Sequence, residues 1–246
     1  MMQIILLLNA NLLLMKTSIF KREIKSFARR QRRLTARQAA ALQSAWPHYG
    51  VVVSDDMLNL DAIFHRHAAK VLEIGFGHGD TLVPMAMAHP EHDYLGIEVH
   101  EPGIASVMVN IIEQDIKNIR VIEGDAVTVL RHHIPDHVFS RIHLYFPDPW
   151  PKKKHHKRRI VQPDFIEMLH DKLGDGGVLH FATDWENYAE HMMCVLSANP
   201  GFKNKIGEGQ FADNEAAPLR AHTKFEKRGV QLGHGVWDLL FERVSH

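Results

Sequence analysis

Four carboxylates and a run of cations are the groups in this chain best placed to do chemistry. Glu73 stands two residues before the first of three alternating glycines, Gly75, Gly77 and Gly79. Glu98 follows Gly79 by nineteen residues, and Asp125 comes directly after Gly124. Asp148 lies between Pro147 and Pro149, with Trp150 next and then Lys152, Lys153, Lys154, Lys157, Arg158 and Arg159. A glycine turn lets a ligand lie against bare backbone, because no Cβ holds it off. A carboxylate inside the strand leading into such a turn suits a ligand that carries positive charge, whereas a pyrophosphate wants helix N–H groups. Glu98 is spaced to take both hydroxyls of a ribose. The prolines around Asp148 remove donors and narrow φ, so this acid is held stiffly. A rigid acid and an aromatic beside six cations form a nucleobase-facing arrangement.

These groups need elements to position them, and the hydrophobic pattern supplies candidates. Residues 71–74 read as a buried strand, and 81–88 as a helix that admits Pro84 only in its first turn. Strands are expected over 94–99, 119–123, 141–146 and 178–182, with helices over 104–114 and 165–173 and a tight turn at Asp175-Gly176-Gly177. Residues 236–244 suit a final buried, antiparallel strand. Such regular alternation predicts an α/β fold, a parallel sheet with helices on both faces. Upstream, a helix over 36–46 should end at Pro47, and a short one is expected over 61–67. Asp125 falls at a strand end, where a helix N-cap is the commoner role and a ligand contact the other. Thr183-Asp184-Trp185-Glu186 reads as a capping box that leaves Asp184 available for a ligand. The G-x-G-x-G spacing departs from the G-x-G-x-x-G of dinucleotide sites. S-adenosylmethionine, with its ammonium and sulfonium, fits Glu73 better than NAD does.

A chain of 246 residues has room for one large α/β domain with an appendage, or at most two small domains. The single cysteine, Cys194, excludes an intramolecular disulfide and agrees with a reducing compartment. It sits among Met192, Met193, Val195 and Leu196, which favours packing over a nucleophilic thiolate and weighs against cytosine-C5 methylation. Formal net charge is zero, but its distribution is uneven: residues 16–37 carry +8, residues 148–159 carry +5, and the remainder −13. Segregation of this kind is a footprint for a polyanion such as nucleic acid. Arg29, Arg30, Arg32 and Arg33 are too crowded for a core and read as a phosphate-binding arm. His132-His133 and His155-His156 are adjacent pairs that point apart, so no metal site is expected. Residues 1–15 are apolar but too short to span a bilayer, and their positive charge follows rather than precedes them. They read as a disordered or artefactual extension, with Met15 a candidate start and membrane anchoring the lesser alternative.

Pro147-Asp148-Pro149-Trp150, Lys152 and His156-Lys157-Arg158-Arg159-Ile160-Val161-Gln162 resemble the signature of the bacterial tRNA (guanine-N7)-methyltransferases, the TrmB family. Further blocks agree in order from about Arg22 to Val244. They are Leu72 to Gly77, Gly96 to His100, Ala182 to Trp185, Thr223 to Glu226 and Gly233 to Asp238. The doubled histidine and tripled lysine after Trp150 are local variations. The resemblance implies a class I Rossmann-like methyltransferase with a mostly parallel seven-stranded sheet. It divides the chain into the extension 1–15, a basic arm and helix at 16–50, and a methyltransferase domain at 51–246. The implied reaction moves the methyl of S-adenosylmethionine to N7 of a tRNA guanosine, at position 46 of the variable loop. Glu73, Gly75, Gly77, Glu98, Asp125 and Asp148 are implied at the cofactor, with Asp148 also catalytic. Lys152, Asp184, Thr223, Lys224, Phe225 and Glu226 are implied on the substrate side, and Lys154, His155, His156, Lys157, Arg158 and Arg159 against RNA. Asp148 or Asp184 is suited to grip the guanine N1–H and N2–H₂ donors. A monomer working on tRNA in the cytoplasm, with no membrane and no metal, completes the expectation. The competing readings are a non-catalytic RNA-binding module and an NAD-dependent oxidoreductase.

Overall fold

Every residue of Lys70–Ile74 (β1) and Asp93–Glu98 (β2) is buried, so both strands are covered on two faces, as a parallel sheet requires. The computed structural model describes residues 26–27, 33–213, 220–221 and 235–244. Thr223, Lys224, Phe225, Glu226, the arginines at 29, 30 and 32, and the extension 1–15 lie outside the described residues.

The remaining strands are Ile119–Glu123 (β3), Phe139–Tyr145 (β4), Leu173–Thr183 (β5), Phe202–Asn204 (β6) and Trp237–Arg243 (β7). They form one seven-stranded sheet in the order β3-β2-β1-β4-β5-β7-β6. The first five run parallel, and β7 is antiparallel to both β5 and β6. The helices are Ala36–Tyr49 (α1), Leu60–Phe64 (α2), Leu82–Ala88 (α3), Glu101–Glu113 (α4), Ala126–His133 (α5), Pro163–Lys172 (α6) and Glu186–Ser197 (α7).

Alternation along β1 shows why two layers of helix are needed. Leu72 and Ile74 join a core with Phe165, Ile166 and Leu169 of α6 and Tyr188, Met192 and Leu196 of α7. Val71 joins a second core with Leu82, Val83 and Ala86 of α3 and Ile104, Val107 and Met108 of α4. Each fully buried side chain of this size contributes about 1.5–3 kcal/mol. Ala41 and Ala45 of α1 belong to the second core, and Gln38 Nε2 donates to Ser106 Oγ at 3.0 Å.

Three local expectations are corrected. The first helix runs through Pro47 to Tyr49, since a proline in the last turn removes one donor only, and the Gly50 N–H closes the end on Trp46 O at 2.8 Å. Asp175 to Gly177 belong to the long strand β5, whose pairing with β4 shifts register there. Glu186 opens α7 with Trp185, not Thr183, at the N-cap. Thr183 closes β5, and its hydroxyl accepts the Trp185 N–H at 3.2 Å.

Candidate functional site

Parallel strands present their carboxyl ends on one edge, where open α/β sheets bind ligands. The segments after β1, β2, β3, β4 and β5 carry Gly75 to Asp80, Val99 and His100, Asp125, Phe146 to Pro151, and Asp184 with Trp185. The order β3-β2-β1-β4-β5 therefore brings Glu73, Glu98, Asp125, Asp148 and Asp184 to a common edge.

Glu73 is 1% exposed. Its Oε1 accepts a short hydrogen bond from the Thr81 hydroxyl, while Oε2 is buried with no partner among the described residues. Desolvation pushes its pKa up to about 8, only partly offset by the Thr81 bond and the charge of Arg220. An unpaired buried acceptor is costly unless something fills it. The turn that follows has Gly75 and Gly77 at φ 69° and 56°, and a Cβ on either would meet none of the described residues within 4 Å. The space against that backbone is open. On the other side the turn is braced by α4, where a Cβ on Gly103 would overlap the Gly77 carbonyl.

Glu98 does more than its spacing implied. Its Oε2 accepts the Gly77 N–H at 2.8 Å, and its Oε1 accepts those of Val99 at 2.6 Å and His100 at 2.9 Å. The carboxylate thus fixes the glycine turn, with spare acceptor capacity for a hydroxyl. Asp125 is the N-cap of α5 and accepts the Val127 N–H at 3.0 Å.

Asp148 is exposed on a loop bracketed by two left-handed residues, Phe146 at φ 50° and Trp150 at φ 46°. Non-glycine residues hold such angles only when their surroundings over-determine them. One constraint on the loop between them is Arg159, which is 3% exposed. Its guanidinium donates to the Pro149 carbonyl at 2.9 Å, to Asn187 Oδ1 at 2.9 Å, and lies 4.7 Å from the Tyr188 ring centre. The expectation that Arg159 faces RNA is corrected: a 3-10 turn over Lys153–Arg158 ends there, and the side chain swings inward under the proline loop. Lys152, Lys153, Lys154 and Lys157 are exposed, with His155, His156 and Arg158 partly so. Partial desolvation and the surrounding cations hold His155 below the usual imidazole range. Trp150 is committed: its indole N–H donates to Ser26 O at 3.0 Å, and Arg158 covers its ring at 3.6 Å. Asp184 makes no hydrogen bond or ion pair among the described residues.

A buried polar relay was missed in the sequence. The Tyr145 hydroxyl lies 2.9 Å from His180 Nδ1, and His180 Nε2 lies 2.7 Å from Asp238 Oδ1. Arg220 holds both oxygens of Asp238, at 2.8 and 3.0 Å. Burial pushes the Asp238 carboxyl up, but the bonds from His180 and Arg220 outweigh it and hold it below its ordinary range. Burial lowers His180 despite Asp238, so a neutral imidazole donates from Nε2 and accepts from Tyr145. Strand alternation over 141–145 could have placed His143 and Tyr145 on one face, but the partners lie far away in sequence. At the opposite, amino edge of the sheet, His89, Glu91 and His92 approach one another as three candidate metal ligands.

A family described as "Putative methyltransferase" matches residues 67–239. A tRNA (guanine-N(7)-)-methyltransferase of Alcanivorax borkumensis is 50% identical over 228 residues, covering 93% of this chain and 95% of the relative. One from Psychromonas ingrahamii is 52% identical over 227 residues, covering 92% of each. Among solved structures, the 16S rRNA methyltransferase KamB superposes with a TM-score of 0.55 at 12% identity, covering 75% of this chain and 94% of that one. At that identity the likeness concerns the fold.

Proposed function

The chain belongs to the tRNA (guanine-N7)-methyltransferase family, and from that premise we infer that it methylates N7 of a guanosine in tRNA with S-adenosylmethionine. The observation that carries this reading in the structure is Glu73, a buried carboxylate with one oxygen unfilled among the described residues, leading into a glycine turn whose backbone those residues leave bare. That combination fits a cofactor with a cationic head better than one with a pyrophosphate.

S-adenosylmethionine supplies a methyl group already activated on sulfonium, and guanine N7 has a free lone pair with no proton to remove. The protein therefore needs no general base at N7, and its contribution is alignment and electrostatic support. Glu73 offers its free oxygen to an ammonium, and Gly75 and Gly77 let the cofactor approach the backbone. Glu98 and Asp125 complete the pocket on β2 and β3. Asp148, on its constrained loop, is the proposed active-site acid. It or Asp184 accepts the guanine N1–H and N2–H₂ donors, which selects guanine over adenine. Lys154, Lys157 and Arg158, with His155 and His156, hold RNA phosphates. Lys152 and the segment Thr223 to Glu226 are assigned to the substrate side by the family resemblance.

Position 46 of the variable loop is the proposed target, on the same resemblance. We assign residues 16–50 as the RNA-binding arm and helix, and 51–246 as the transferase domain, acting as a monomer in the cytoplasm where its tRNA is found. No helix among the described residues is long and apolar enough to cross a membrane. The test is transfer from methyl-labelled cofactor to tRNA lacking this modification, followed by nucleoside analysis. Label should appear in 7-methylguanosine; label in another nucleoside, or none, would overturn the reading.

A further inference from the structure

Trp185 stands where a helix start ordinarily holds Ser, Thr, Asp or Asn. It is the N-cap of α7 and gives the helix no side-chain hydrogen bond. Its backbone is fixed by the Thr183 hydroxyl, but its side chain is 37% exposed, and its indole N–H donates to nothing among the described residues. A tryptophan combines a large apolar face with a polar handle, and both ordinarily find partners. Here part of that face stays open, and the handle has no partner among the described residues.

Its place is set by strand pairing. Tyr145 of β4 is in register with Ala182 of β5, and the Phe146 N–H donates to Ala182 O at 2.8 Å. The loop carrying Asp148 and the residues Asp184 and Trp185 thus leave adjacent parallel strands on the same edge. Trp150, the aromatic that the sequence would put against a base, is unsuited to it, because Arg158 occupies one face and Ser26 takes its N–H. Among the described residues, Trp185 is an exposed aromatic beside the two candidate guanine-reading acids.

We propose that Trp185 is the stacking platform for the target guanine, its indole lying against the purine while Asp184 or Asp148 takes the N1–H and N2–H₂ edge. The proposal rests on the tRNA methylation argued above. A sulfonium-activated methyl needs N7 held in line, and a flat surface under the purine fixes the plane in which N7 lies. Stacking needs an aromatic face, which phenylalanine also presents and alanine does not. Phenylalanine should therefore serve nearly as well as tryptophan, and alanine should not.

The test compares the full-length wild type with Trp185→Phe and Trp185→Ala, by methyl transfer to unmodified tRNA, cofactor affinity by calorimetry, and quenching of tryptophan fluorescence when that tRNA binds. Trp185→Ala should lose about 5- to 150-fold in kcat/KM for tRNA, the range of one stacked base. Trp185→Phe should stay within a few-fold of wild type, and cofactor affinity should be the same in all three. A purine stacked on an indole quenches it, so Trp185→Ala should lose part of the quenching that tRNA produces in the wild type. Unchanged kcat/KM or unchanged quenching in Trp185→Ala would overturn the proposal while leaving the transferase reading intact. Equal losses in both variants with weakened cofactor binding would make Trp185 a structural residue and also overturn it. Failure of the wild type to methylate tRNA would instead remove the functional reading, and the proposal with it.

Discussion

Arg159 Nε donates to the carbonyl of Pro149 at 2.9 Å, so the last cation of the basic run holds the backbone beside Asp148 rather than facing solvent. Removing it leaves that carbonyl and Asn187 Oδ1 without their donor. Arg159→Ala should destabilise the protein by about 1–3 kcal/mol and lower kcat, because the loop that carries Asp148 loses its clamp. The salt dependence of tRNA binding should not change. Arg159→Lys keeps the charge but loses the planar fork, so it should recover little. Neutralising Lys154, Lys157 and Arg158 should do the reverse, lowering the log–log salt slope by about 0.7–0.9 for each phosphate that is no longer neutralised. Binding titrations at several salt concentrations separate the two outcomes.

This contrast shows where sequence reading stops. A run of cations announces an electrostatic surface, but not which member turns inward, because that depends on where the 3-10 turn ends. β1 to β4 were legible to within two residues, since both of their faces are largely buried. β5 was not, because it begins at Leu173, five residues early, and runs through the turn-forming Asp175-Gly176-Gly177. β6 was not, having three residues of which only Phe202 is buried. Glu98 looked like a ribose ligand, yet three backbone N–H groups use it to hold the turn. The Tyr145–His180–Asp238–Arg220 relay joins residues from three strands and a segment outside them, and only the folded sheet brings them together.

The raised pKa of Glu73 gives a signed prediction. Below its ordinary 4.5 the carboxyl is protonated whether the chain is folded or not. Between 4.5 and about 8 the unfolded chain ionises while the folded one keeps its proton. Unfolding then releases a proton, and Glu73 makes stability fall as pH rises across that window. Cofactor affinity should move the other way, increasing toward pH 8 as the carboxylate that pairs with the ammonium forms. Urea unfolding of wild type and Glu73→Gln from pH 5 to 9 should give a stability difference that declines and levels near pH 8. A flat difference would mean that Glu73 is ionised throughout.

Gly103 tests the glycine turn from behind. A Cβ there would overlap the Gly77 carbonyl, which is backbone and has nowhere to go without moving the turn. Gly103→Ala should weaken cofactor binding at least tenfold, a loss of about 1.4 kcal/mol, with little effect on the salt slope of tRNA binding. Gly75→Ala should weaken it through a different cause: there is room for the methyl group, but φ is 69°. Calorimetry with S-adenosylmethionine reads both. Wild-type affinity in Gly103→Ala would show that the turn is not what the cofactor rests on.

The methylated atom itself can be removed without disturbing recognition. If N7 attacks directly, selectivity for guanine must come from the other edge of the base, through Asp148 or Asp184. A tRNA with 7-deazaguanosine at the target keeps that edge and every phosphate but has no lone pair at position 7. It should bind nearly as well as normal tRNA, inhibit competitively and accept no methyl group. Inosine at the same site keeps N7 and lacks the N2 amino group, so it should react more slowly, with a loss of about 1–3 kcal/mol when a carboxylate is left without its donor. Methyl label in the 7-deaza substrate would sink the N7 assignment. Equal rates for inosine and guanosine would spare it and remove the carboxylate grip on N2, leaving N1–H as the group that separates guanine from adenine.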